Sequence, residues 1–250
     1  MTIIKTKKEI EILKEAGRML AEIMEKLKKE ARAGITTNYL NNFAEQLIFE
    51  YGCTPAFKGY QGYPYTLCTS VNEVIVHGTP SNYKLKNGDI LSLDCGLKYK
   101  GFYSDMAITI GVGNISEEVN RLIKTTKKAL KRGIKKAKPG NTIGDIGNTI
   151  QRYVESQGFN VIRDLCGHGI GKELHEDPQI LNYGKRHTGE KIKPGMVFCI
   201  EPMVSAGSWK IKRAEDGYGF KTKDNSLSAH FEHMIAIVNG KAEVLTEWIK

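Results

Sequence analysis

Apolar side chains recur at helical intervals near the start of the chain. Ile10, Leu13, Leu20, Ile23, Met24 and Leu27 mark one face of an amphipathic helix, and Thr6 with Glu9 has capping-box spacing at its start. A second helix is predicted after Gly34, and the Gly-, Tyr- and Pro-rich stretch 59–64 reads as loop. Alternating apolar and β-branched positions then predict strands around 67–76, 89–95 and 102–110. Two further helical patterns, about 116–137 and 142–157, precede a second strand-rich region.

This order of elements repeats. Ala31, Gly34, Thr36, Asn42 and Gly52 match Ala137, Gly140, Thr142, Asn148 and Gly158 at one constant offset. The segment 84–94, ending in Asp94, matches 191–201, ending in Glu201. His77 to Pro80 resembles His175 to Pro178, and Asp105 to Gly113 resembles Glu232 to Gly240. Four matches in one order predict two related α+β halves, roughly 1–113 and 114–250. With no Pro/Ser-rich linker between them, they are expected to share one core as a single unit, 1–250. The repeat pairs Asp94 with Glu201, Asp105 with Glu232 and His77 with His175.

Composition narrows the class. A chain of 250 residues with 40% hydrophobic and 26% charged residues is ordinary for a globular protein, and no apolar run reaches membrane-spanning length. The first residues lack an apolar signal region. Five cysteines (Cys53, Cys68, Cys95, Cys166 and Cys199) form no C-x-x-C pair, which argues against a disulfide framework and suits a reducing cytoplasm. The formal charge of +9 is concentrated in lysine-rich stretches such as 124–138. Such a stretch is ordinarily a solvated helix face; its alternative use is attraction to a polyanion such as ribosomal RNA. No nucleic-acid-binding signature accompanies it.

The carboxylates change the picture more. With a turn at 98–101, Asp94 and Asp105 would face each other directly across a hairpin. Like charges so placed destabilise a bare sheet, and both acids sit in apolar sequence, where burial would raise a carboxyl pKa. A divalent cation resolves both problems. One acid beside a glycine turn is usually a turn-flanking residue or a cap; four acids paired by an internal repeat are not explained that way. Glu201 ends an apolar run and Pro202 biases it to extended backbone. His168, between Gly167 and Gly169, has no counterpart in the repeat and is the candidate imidazole ligand. Four carboxylates and one imidazole suit paired Mn, Fe or Co better than a closed structural zinc site, with Zn also compatible. His187 reads as surface, and His230 and His233 as flanking the strand of Glu232.

Across essentially the whole chain, these residues in this order resemble the methionine aminopeptidases. The strongest segments are 70–80, 88–94, 101–105, 166–171, 198–202 and 221–232. The resemblance implies the duplicated pita-bread fold, an antiparallel sheet covered by helices. The short interval between Glu201 and Glu232 leaves no room for the helical insertion of type II enzymes, so the resemblance is to the short bacterial type I form. It implies that Asp105 and Glu232 bridge two metals about 3.5–4 Å apart. Asp94 would complete one metal, and His168 with Glu201 the other. Activated water would attack the carbonyl after an N-terminal methionine, and Glu201 would carry the proton from water to the leaving amine. His175 would bind the developing oxyanion and His77 the scissile amide.

By the same resemblance, Phe57, Tyr60, Tyr63, Cys68, Leu174 and Tyr218 form the methionine pocket, with His77 and His175 at its reacting end. Phe57 stands where Cys is usual, Leu174 where an aromatic is usual, and Tyr218 where Trp is common. Asn72, Val74 and Ser228 match the family's monovalent-cation site. The implied partners are N-terminal Met peptides on nascent chains, with small second residues, acted on by a cytoplasmic monomer that could associate with the ribosome. Two rivals are an X-Pro peptidase of the same fold and a non-catalytic relative that binds the ribosome or nucleic acid.

Overall fold

Thr6 caps helix α1 (Lys7–Glu30) with the expected box: its side chain accepts from the Glu9 N–H, and the Glu9 carboxylate accepts the Thr6 N–H. The computed structural model describes residues 2–247; residue 1 and residues 248–250, the ends of the expected 1–250 unit, lie outside them. Three more helices follow, α2 (Thr37–Glu50), α3 (Glu117–Lys136) and α4 (Ile143–Ser156). The lysines of 124–138 mostly project from α3 into solvent, while Val119, Leu122, Ala129 and Leu130 face inward. Among the described residues no helix is long and apolar enough to cross a membrane.

The helices flank a nine-stranded sheet that draws on both halves of the chain. Its path runs Thr54–Pro55, Ile90–Tyr99, Phe102–Gly111, Glu232–Val238, Val197–Ile200, Gly167–Gly169 and Glu176–Ile180. Leu67–Val71 and Lys241–Val244 pair from the sides, and every pairing in this sheet is antiparallel. The halves meet where Glu232 pairs with Ala107 and His233 with Met106. The repeat is visible in the backbone: α2 and α4 are both 14 residues long, and Thr36 bridges Lys84 as Thr142 bridges Lys191.

Strand alternation separates core from site. Leu91, Leu93, Cys95 and Leu97 join Met106 in packing against α1 and α2, in a cluster that includes Leu20, Leu27, Leu40 and Leu47. The second half repeats this with Phe198, Ile200, Ile235 and Ile237 against α3 and α4. The opposite face is left to the intervening residues, among them Asp94, Asp105 and Glu232.

Two local expectations are corrected. The hairpin turns at Lys100 and Gly101, not over 98–101. Both residues have positive φ (47° and 85°), as a two-residue turn matched to strand twist requires, and Tyr99 pairs with Phe102. Asp94 therefore faces Ala107, and Asp105 faces Gly96. The two acids are diagonal neighbours rather than directly opposed. The single strand expected over 67–76 is two, Leu67–Val71 and Val74–Val76, separated by a turn in which Asn72 adopts φ 56°.

Candidate metal centre

The pleat brings the carboxylates to one face. Ala107 pairs with Asp94 on one side and Glu232 on the other, and Asp105 lies two residues from it, so all three acids point the same way. His233 pairs with Ile200, so Glu201 continues the same row beside Glu232. His168 enters from the next strand, whose Gly169 pairs with Phe198. Its flanking glycines allow backbone contact: a Cβ on Gly167 would lie 2.3 Å from the Cys199 carbonyl oxygen, and one on Gly169 would lie 2.0 Å from that of Asp177.

His168 Nε2 lies 3.6 Å from Glu201 Oε1 and 3.9 Å from both Asp105 Oδ2 and Glu232 Oε1. A ligand atom each from Asp94, Asp105 and Glu232 also falls within 4.8 Å of the others. Such separations are too long for hydrogen bonds and suit donors that share a cation at about 2.1 Å from each. Asp105 and Glu232 belong to both groups. The four acids are at most 9% exposed, yet Asp94 Oδ1, Asp105 Oδ1 and Glu232 Oε1 have no hydrogen-bond partner. Orphaned buried carboxylate oxygens converging on one space are the donor set of divalent metal ions, and the residues present fit that group.

The electrostatics agree. Burial pushes the Asp94 carboxyl up to about 6 against a pull downward from His230. Asp105 is held well above the usual carboxylate range by burial and by its neighbours Glu232, Asp94 and Glu201. Burial and nearby carboxylates do the same to Glu201 and Glu232. Burial lowers His168 to about 3 and His77 to about 4, so both imidazoles are neutral, as His168 must be to ligate a metal.

All five expected ligands line one cavity of about 960 Å³ together with all eight expected pocket residues, Phe57, Tyr60, Tyr63, Cys68, His77, Leu174, His175 and Tyr218. The Tyr60 hydroxyl is 2.9 Å from His175 Nδ1, and the His168 and His175 rings meet edge to face at 4.3 Å. His77 holds φ 58° at the end of its strand with its ring against Phe220. Asn72, Val74 and Ser228 also converge: the Ser228 hydroxyl is 3.1 Å from the Asn72 carbonyl oxygen and 3.0 Å from that of Val74.

The other histidines divide. His187 is exposed, and His233 is turned away from the carboxylates with Nδ1 2.9 Å from the Thr246 hydroxyl. His230, expected only to flank the strand, is 1% exposed with Nε2 3.4 Å from Glu201 Oε2. Its spacing of two from Glu232 was the available signal, since alternate strand residues share a face.

Fold and donor cluster together define a metallopeptidase, and residues 11–239 match metallopeptidase family M24. The chain is 48% identical over 246 residues to a methionine aminopeptidase of Clostridium perfringens, covering 98% of this chain and 99% of that one. It matches the structure of a methionine aminopeptidase from Thermotoga maritima with a TM-score of 0.97 at 46% identity, covering 99% and 100% of the two chains. A methionine aminopeptidase structure from Rickettsia prowazekii matches with the same TM-score at 39% identity, again over 99% and 100%. The chain belongs to the methionine aminopeptidases of family M24, metal-dependent hydrolases with the pita-bread fold.

Proposed function

We propose that the protein removes the initiator methionine from nascent chains, using two divalent ions held by Asp94, Asp105, His168, Glu201 and Glu232. The observation that carries this reading is the shared position of Asp105 and Glu232, which belong both to the Asp94 group and to the His168–Glu201 group at the floor of one cavity. Asp94 would hold one ion, and His168 with Glu201 the other. When bound, such a pair activates water at neutral pH and anchors the substrate's α-amine. The ions are of the Mn, Fe, Co or Zn class, and Asn72, Val74 and Ser228 would hold a monovalent cation nearby.

The chain's own groups do the rest. Phe57, Tyr60, Tyr63, Cys68, Leu174 and Tyr218 enclose an unbranched thioether side chain by shape and S–aromatic contact. With the Tyr60 hydroxyl donating to His175 Nδ1, the ring proton sits on Nε2, where it donates to the scissile carbonyl oxygen as negative charge develops. Neutral His77 pairs with the scissile amide. Glu201 takes a proton from water and returns it to the leaving amine. The preferred substrates would carry small second residues. The exposed α3 lysines and the +9 charge support association with the ribosome; the protein would act as a cytoplasmic monomer.

The test combines metal analysis with hydrolysis. Protein loaded with Co(II) or Mn(II) should cleave Met-Gly-Met and Met-Ala peptides and lose this activity on chelation. Preference for X-Pro peptides would refute the substrate assignment. A metal-replete protein inert to Met-Gly-Met, with Glu232→Gln leaving metal content unchanged, would refute the enzymatic reading.

A further inference from the structure

We propose that His230 is the positioning residue for Glu201: its Nε2, 3.4 Å from Glu201 Oε2, is placed to donate a hydrogen bond to that oxygen once the site is loaded, leaving Oε1 to face His168. The inference rests on the reading of Glu201 as ligand and proton carrier, and adds a residue that this reading does not require.

Three observations converge. First, the backbone of His230 is fixed. Its strand, Ser228–His230, pairs with Met203–Ser205 just beyond Glu201, with Met203 opposite His230. The His230 N–H donates to Thr109 Oγ1 at 2.8 Å, and the same hydroxyl donates to the His230 carbonyl oxygen at 2.6 Å. A ring on so constrained a backbone is placed, not free to search. Second, the ring is 1% exposed and both its nitrogens lack a hydrogen-bond partner within the protein. A buried N–H left unpaired is costly, and a neutral imidazole always has one to donate. Glu201 Oε2 faces Nε2 at 3.4 Å. Third, the two Glu201 oxygens have different neighbours: Oε1 lies 3.6 Å from His168 Nε2, and Oε2 looks back at His230.

The division has a chemical consequence. A carboxylate that binds a metal through one oxygen is oriented when its other oxygen is hydrogen-bonded. Glu201 forms the cavity wall, and His230 is buried behind it. From there the ring can fix the carboxylate rotamer without touching substrate. The competing role is a direct nitrogen ligand, since one donor atom each from Glu201, His230 and Glu232 lies within 4.8 Å of the others.

The experiment uses the full chain, apo and loaded with two equivalents of Co(II), as wild type, His230→Leu and His230→Gln. It reads the Co(II) dissociation constants by calorimetry, the visible Co(II) spectrum, and kcat and KM on Met-Gly-Met. Leu should weaken the weaker Co(II) site about 10–100-fold and lower kcat with KM nearly unchanged. Gln supplies an N–H near Oε2 and should restore affinity, most of kcat and the wild-type spectrum. Equal Co(II) affinity in all three proteins overturns the proposal. So does a Gln variant as weak as Leu with an altered spectrum, which would make His230 a ligand. If Leu does not fold, the Gln variant decides alone: wild-type affinity and spectrum support the donor role, and their loss overturns it. A wild-type protein that fails to bind Co(II) or to cleave Met-Gly-Met refutes the proposed function itself, and the positioning role falls with it.

Discussion

Removing the charge of Asp94 should stabilise the metal-free protein and weaken the loaded one. Asp94 is 8% exposed, and its carboxyl is pushed from 3.8 up to about 6, chiefly by burial. Between those values the folded chain holds a proton that the unfolded chain has lost, so the contribution of this group to stability falls as pH rises from about 4 to about 6. A difference of about two pH units, at about 1.4 kcal/mol each, makes the cost at pH 7 about 3 kcal/mol. At pH 4 it is roughly half a kcal/mol. Asp94→Asn has no such proton to lose. After chelation and dialysis, urea unfolding should show the variant more stable than wild type by about 3 kcal/mol at pH 7, with the gain nearly gone at pH 4. With Mn(II) or Co(II) in excess the order should invert, because ions bind the native wild type far better than a site lacking one carboxylate. A variant no more stable than wild type at pH 7, or a gain of equal size at both pH values, would refute the account of buried charge at this site.

Three further outcomes follow from the same geometry. Metal loading should release protons, because burial and neighbouring carboxylates raise the carboxyl pKa values of Asp105, Glu201 and Glu232 while a bound ion favours their charged forms; affinity should fall as pH falls, and calorimetry in buffers of different ionisation heat reads the release directly. Tyr60→Phe removes the 2.9 Å partner of His175 Nδ1 and should lower kcat roughly fivefold, equivalent to about 1 kcal/mol, with KM on Met-Gly-Met little changed. Lys5 and Glu176 form an ion pair whose side chains are only 2% and 5% exposed, next in sequence to His175. Lys5→Met should therefore cost about 3 kcal/mol in urea unfolding, and it should cost less when combined with Glu176→Gln, which removes the stranded charge.

Much of this protein is written locally. The Thr6–Glu9 box begins α1, the lysine-rich stretch becomes the outer face of α3, and the repeated segments become helices of equal length bridged at equivalent points. Caps, helical periodicity and β alternation act over a few residues, so they survive without tertiary context. The acids show how far that reaches. The expected turn was wrong, and Asp94 faces Ala107 rather than Asp105. The displacement was two residues, however, and strand side chains repeat with period two, so both acids still occupy one face. A slip of one would have sent one of them into the core.

What tertiary structure alone decided lies between distant segments. The pairing of Glu232 with Ala107, the 3.6 Å approach of His168 to Glu201 and the gathering of Phe57 and Tyr218 around one cavity join residues far apart in the chain. So do the buried Lys5–Glu176 pair and the Glu201–His230 contact. Sequence pattern specifies which face a side chain takes. Which strand lies beside it, and at what distance, is set by packing two helix-covered halves on one sheet, where burial and register are satisfied together.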